Sequence, residues 1–142
     1  MLLKKYFIFL VFALSFTSCN IFRPLSLVPT FSAAIIQDKT DLGKQVDLMY
    51  TLMEQSSDKD YDTYVPDYNA ADNLINSIII RDQVRNKSAL IVRQDILYRD
   101  LLAKFQAEHK AKVQLNNSEI RVYKQYARDM LKSLLVAEKS LK

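Results

Sequence analysis

The sequence predicts an all-α protein: a three-helix antiparallel bundle with a long central helix, reached through an extended N-terminal tether. Three observations predict it. The 142 residues include one glycine and three prolines, and Pro24, Pro29 and Pro66 all fall in the first half. None of the Asn-Gly or Asp-Gly pairs that tight β-hairpins draw on for positive-φ positions is present. From Ile35 onward the apolar residues recur at three and four, the spacing that gathers them on one helix face. A single glycine also excludes the phosphate-cradling loop and the dinucleotide-binding turn, both of which need several.

Residues 20–31 form the tether. Pro24 and Pro29 oppose a helix there and favour extended chain. The segment is apolar for a linker, with Ile21, Phe22, Leu25, Leu27, Val28 and Phe31. It suits packing against its own domain or the bilayer, with docking into a membrane partner as the alternative. The bundle domain follows as residues 32–142. Its first helix starts with Ser32 as N-cap and with Phe31 and Ile36 as a hydrophobic staple. Ile35, Leu42, Val46, Met49 and Met53 make its stripe, with Lys39 the exception. Gly43 weakens the middle by about 1 kcal/mol relative to alanine, which leaves a start near Thr40 as the alternative. The helix ends between Gln55 and Ser57.

Residues 57–68 read as an acidic, tyrosine-rich loop, after which Asn69 caps a second helix with Asp72 in its first turn. Neither glycine nor proline interrupts residues 69–113, so this helix is expected to run up to about 65 Å, bent at the polar patch of residues 81–88. Asp95/Arg99, Asp100/Lys104 and Glu108/Lys112 are acid-before-base pairs four apart, the favourable order on a helix. Asn116 and Glu119 have the spacing of a capping box. Beyond it Ile120, Tyr123, Ala127, Met130, Leu134, Ala137 and Leu141 make a heptad seam. Leu131 and Leu135 broaden the seam, which favours packing within the chain; a seam for a second copy, and so a homo-oligomer, is the alternative.

The first eighteen residues have the order of an export signal. Lys4 and Lys5 precede an apolar run over residues 6–16, broken only by Ser15, and Thr17 and Ser18 are small. That run is too short to span a bilayer. Cys19, the one cysteine of the chain, follows directly. The arrangement resembles a bacterial lipoprotein signal, with Phe16 standing where leucine is usual. The resemblance implies cleavage before Cys19 and a diacylglyceryl group on its thiol, with residues 19–31 as a lipidated tether. Asn20 resembles the signals that send lipoproteins to the outer membrane in many Gram-negative bacteria. The expected location is therefore the periplasm-facing side of the cell envelope, outer membrane before inner. With no second cysteine there is no intramolecular disulfide, so stability must come from packing.

Without the leader, 124 residues remain, with 18 basic and 16 acidic side chains, so the basic pI is no argument for nucleic acid. The distribution says more. Residues 20–72 carry four basic and nine acidic groups, and residues 73–142 carry fourteen and seven. Such asymmetry suits antiparallel internal packing, or a basic face toward anionic lipid or an acidic partner.

Few residues offer chemistry. Asp58, Asp60 and Asp62 have the alternating spacing that opens a calcium-binding EF-hand loop, but its sixth and twelfth positions hold Thr63 and Asn69 instead of Gly and Glu. They are weak metal candidates, and no metal or cofactor is expected. His109 is the sole histidine, which leaves no Cys–His pair and no His-rich cluster, and it reads as a structural residue near Glu108 and Lys112. Nothing in the spacing of Glu54, Glu108 and Glu119 selects a catalytic pair. Tyr61, Tyr64 and Tyr68 read as contact residues for a protein partner, since tyrosine combines area with a polar tip.

The function read from the residues is non-enzymatic. It is that of an envelope lipoprotein acting as an adaptor or structural subunit of a protein assembly, held in the membrane through Cys19. The alternatives are a chaperone-like client-binding module of the periplasm and an immunity or inhibitor lipoprotein.

Overall fold

A computed structural model describes residues 31–85 and 88–141; the leader, Cys19 and the tether up to residue 30 lie outside the described residues. Four helices follow one another: α1 (Ala33–Gln55), α2 (Tyr61–Gln83), α3 (Ala89–Lys112) and α4 (Asn117–Lys139). Each is about 35 Å long at 1.5 Å per residue. Links of four or five residues make successive helices antiparallel, and α4 returns to pack on α1. Every helix therefore touches two neighbours around a ring, and among the described residues neither diagonal pair makes backbone contact.

The all-α class holds, but the expected three helices are four. The central helix is not bent at residues 81–88; it is cut there. No glycine or proline does this. The Arg85 amide donates to the Asp82 carbonyl, and the Ser88 hydroxyl donates to the Asp82 and Arg85 carbonyls, so side chain and backbone close a turn. Because hydroxyls offer the backbone an alternative to the helical ladder, Ser88 ends one helix and opens the next.

A second correction concerns residues 57–68. The expected loop is mostly helix, since α2 begins at Tyr61 and Asn69 lies in its interior. Asp58 makes the start: its carboxylate accepts from the Asp60 amide at 3.0 Å and from the Thr63 hydroxyl at 2.8 Å. Tyr61 donates its amide to the Val113 carbonyl at 2.8 Å, which ties the start of α2 to the end of α3. Pro66 sits inside α2 and has no N–H to give to the ladder; core packing of the tyrosines on either side outweighs that loss.

The local signals at the other helix starts operate as read. Ser32 caps α1 by accepting from the Ile35 amide at 3.3 Å. Asn116 accepts from the Ser118 and Glu119 amides while Glu119 accepts from the Asn116 amide, a complete capping box. On α4 Ile120, Tyr123, Ala127 and Leu134 are buried, and Met130 and Leu131 pack against them. The seam thus closes on α1 within one chain. Gly43 permits that closeness, because a Cβ there would collide with Cδ2 of Leu131.

Val113 is the one described non-glycine residue with positive φ, at 67°. With ψ at −46° it sits in a γ-turn region that branched side chains rarely enter. The strained turn aims its carbonyl at Tyr61.

Candidate functional site

Two polar groups are built into this apolar interior. The first lies at the end of the bundle where the chain enters, and every helix supplies it. Lys39 of α1 interrupts that helix's apolar stripe and is fully buried. Its ammonium lies 2.8 Å from Asp95 of α3, 3.1 Å from Asp82 of α2 and 3.4 Å from Glu138 of α4. Arg85, from the turn, pairs with Asp82 at 2.6 Å and grips Glu138 with both guanidinium ends. Two cations thus face three carboxylates, one formal negative charge in excess.

Electrostatics follow from that count. Burial pushes the Asp95 carboxyl up to about 7, and the adjacent Asp82 carboxyl pushes the same way, against the pull of Lys39. Uptake of a proton by Asp95 removes the excess charge. Burial alone would discharge Lys39, but contact with Asp95, reinforced by Asp82 and Glu138, holds its pKa above the ordinary lysine range. Arg85 is likewise held charged: its burial is outweighed by Glu138 and Asp82.

The second group lies at the opposite end. His109 of α3 is fully buried. Its Nε2 lies 2.8 Å from the Lys59 carbonyl, which can only accept, so Nε2 carries the proton and Nδ1, at 3.1 Å, takes the Tyr68 hydroxyl hydrogen. Tyr61, Tyr64 and Tyr68 surround the ring, with centroids 5.6–6.3 Å away. Tyr64 donates to the Asp58 carbonyl, and Tyr61 accepts from Gln106. Burial pushes the phenols of Tyr50, Tyr68 and Tyr98 well above the ordinary tyrosine value, so they stay protonated.

The residues read from the sequence are placed differently from their expected roles. Tyr64 and Tyr68 are core side chains and Tyr61 is half-buried, so this trio is not an outward contact loop. Asp58 is committed to the α2 start, and Asp60 accepts from Gln114. Among the described residues no group of three His, Cys, Asp or Glu side chains is placed to hold a metal. Glu54 pairs with Arg121 and Lys124, Glu108 accepts from Tyr123, and Glu119 pairs with Lys112, so these carboxylates serve separate helix contacts.

Sequence reasoning missed Asp82 and Glu138, and it paired Asp95 with Arg99, where Asp95 instead faces Lys39 and Arg99 pairs with Asp100. Each of the three buried carboxylates follows a buried apolar residue by four: Ile78, Ile91 and Leu134. A charge on the apolar stripe of every helix, all near one end, was the available signal, and Lys39 was its visible part. The interior leaves little room besides. Two partly open cavities, between α1, α2 and α3 and between α1, α3 and α4, hold about 20 Å³ each, a single water's worth.

The chain matches no family model, no curated protein and no solved structure.

Proposed function

We propose that this chain is a lipid-anchored envelope protein whose helical bundle is a non-enzymatic adaptor or structural subunit of an envelope assembly. The observation that carries the reading is the leader, with Lys4 and Lys5, a short apolar run and the lone Cys19 at its end. Acylation adds about 0.8 kcal/mol of membrane affinity per buried methylene, so the chains of a mature lipoprotein hold their protein to the bilayer. The bundle supports the reading in a second way. Its buried charged groups are paired with one another in a cluster that ties all four helices together, as suits a rigid part that is held and touched by others. Contact with a protein partner then falls to the outward helix faces, because the rings of Tyr64 and Tyr68 are inside.

Cys19→Ser tests the anchor. The variant is expected to lose fatty-acid labelling and to leave the membrane fraction or stay unprocessed; unchanged labelling and fractionation refute it. The adaptor role is tested by photocrosslinking from Leu48 and Leu52, both exposed on α1, in native membranes. One envelope protein recovered from both sites supports the role, and only copies of this chain, or nothing, count against it.

A further inference from the structure

The three most exposed large hydrophobic side chains among the described residues are Val84, Leu90 and Val136, at 84%, 75% and 68%. All three lie at one end of the bundle: Val84 just past α2, Leu90 at the start of α3, Val136 in the last turn of α4. Ile80, at 61%, stands one turn before Val84. A shallow cavity of about 330 Å³ opens beside them, with Phe31, Ile35, Arg81 and Val84 in its wall. Isolated exposed apolar residues mean little; the most exposed ones gathered at one end mark a surface that is covered by something.

Chain direction and charge say what covers it. Phe31, where the described chain begins, belongs to this end, and Cys19 is twelve residues earlier. Twelve residues reach at most about 40 Å fully extended, so an anchor at Cys19 keeps this end nearer the bilayer than the other. The described residues of the segments forming it, 31–41, 78–85, 88–95 and 132–141, carry six basic and five acidic side chains. The segments forming the far end, residues 50–70 and 105–124, carry five and seven. Burial sharpens the difference, because Asp82, Asp95 and Glu138 are inside with Lys39 and Arg85. Arg81, Arg93, Lys132 and Lys139 are left on the outside of this end against two carboxylates, Asp38, which pairs with Arg81, and Asp41.

We propose that this end of the bundle is a membrane-contact surface, with Val84, Leu90 and Val136 entering the interface of an anionic bilayer and Arg81, Arg93 and Lys139 over its headgroup phosphates. The orientation rests on anchoring at Cys19, while the apolar and basic groups supply affinity of their own. Apolar burial and attraction to anionic lipid act together in such surfaces. The ionic cluster lies directly beneath and fastens the four helix ends that the surface needs held in register.

The chain has no tryptophan, so one introduced indole is a background-free probe. The full chain carrying Val84→Trp or Leu90→Trp is reconstituted into phosphatidylethanolamine–phosphatidylglycerol vesicles containing brominated acyl chains. Leu52→Trp and Val122→Trp, exposed toward the far end, are the controls. Quenching is expected to be at least twofold stronger from positions 84 and 90, with a blue shift, and to weaken when phosphatidylcholine replaces phosphatidylglycerol. Equal quenching at both ends, or stronger quenching at 52 and 122, overturns the proposal. Fatty-acid labelling of the same preparations reads the anchor separately. Label with equal quenching sinks the surface and leaves the anchor standing; selective quenching without label sinks the anchor and leaves the surface.

Discussion

Replacing Asp95 with asparagine should leave the fold at least as stable at pH 8 as the native side chain does, although Asp95 makes the shortest of the three ionic contacts to Lys39, 2.8 Å. The reason is the excess charge. Asp82 and Glu138 suffice to balance Lys39 and Arg85, and Asp95 is a third carboxylate without a third cation. Its carboxyl is raised from the ordinary 3.8 to about 7, first by burial and then by the neighbouring Asp82. A carboxyl raised on folding keeps its proton longer in the folded chain than in the unfolded one. Its stabilising contribution is fully present below the unfolded value and is lost as pH rises through the folded one. At about 1.4 kcal/mol per unit, this group alone should remove roughly 2–3 kcal/mol of stability between pH 5 and pH 8. The asparagine amide cannot ionise, keeps a donor for Asp82 and an acceptor for Lys39, and abolishes that slope.

The assay is urea unfolding of the full chain in detergent, followed by helix circular dichroism, at pH 5, 6, 7 and 8. The comparison is the difference between wild type and Asp95→Asn at each pH, so every other titrating group cancels. Asp41, Glu54, Asp58 and Glu119, all held below their ordinary values by hydrogen bonds and ion pairs, matter only in more acid solution. Lys39→Met is the opposite control: it leaves three carboxylates with one guanidinium and should cost about 3–5 kcal/mol at pH 7. Parallel slopes for wild type and Asp95→Asn, or an asparagine variant more than about 1 kcal/mol weaker at pH 8, would refute the reasoning.

Two further outcomes rest on packing and backbone. Val113→Gly should stabilise the domain by about 1 kcal/mol, because glycine enters the positive-φ turn without steric cost; a loss in the denaturant midpoint would show that the side chain matters more than the strain. Leu134→Ala, on the buried seam, should cost about 2–5 kcal/mol while leaving mass by light scattering unchanged; a smaller assembly would assign the seam to an interface between copies.

Reading the candidate site from the sequence succeeded for residue types and failed for pairings. Lys39 stood out because a lysine interrupts an apolar stripe, but a stripe does not say what faces it. Its partners lie 43, 56 and 99 residues away on three other helices. Tyr61, Tyr64 and Tyr68 were visible as a cluster, yet acidic neighbours and Pro66 made them look like a loop. What draws them inward is His109, more than forty residues on, which accepts from the Tyr68 hydroxyl.

The sequence by itself determined the helical class, the start of α1 at Ser32, the capping box that opens α4, and the apolar seam of that last helix. Caps and periodicity act through neighbours three or four residues apart, so they are complete in the local sequence. Only the tertiary structure decided that the central stretch is two helices and that the tyrosines are core. The turn at residues 84–88 has no glycine or proline to announce it. Reversing the chain there brings Asp82, Arg85 and Asp95 against Lys39 and Glu138, where both buried cations meet carboxylates from other helices. A charge leaves water only where a partner waits, and which partners wait is settled when all four helices have come together.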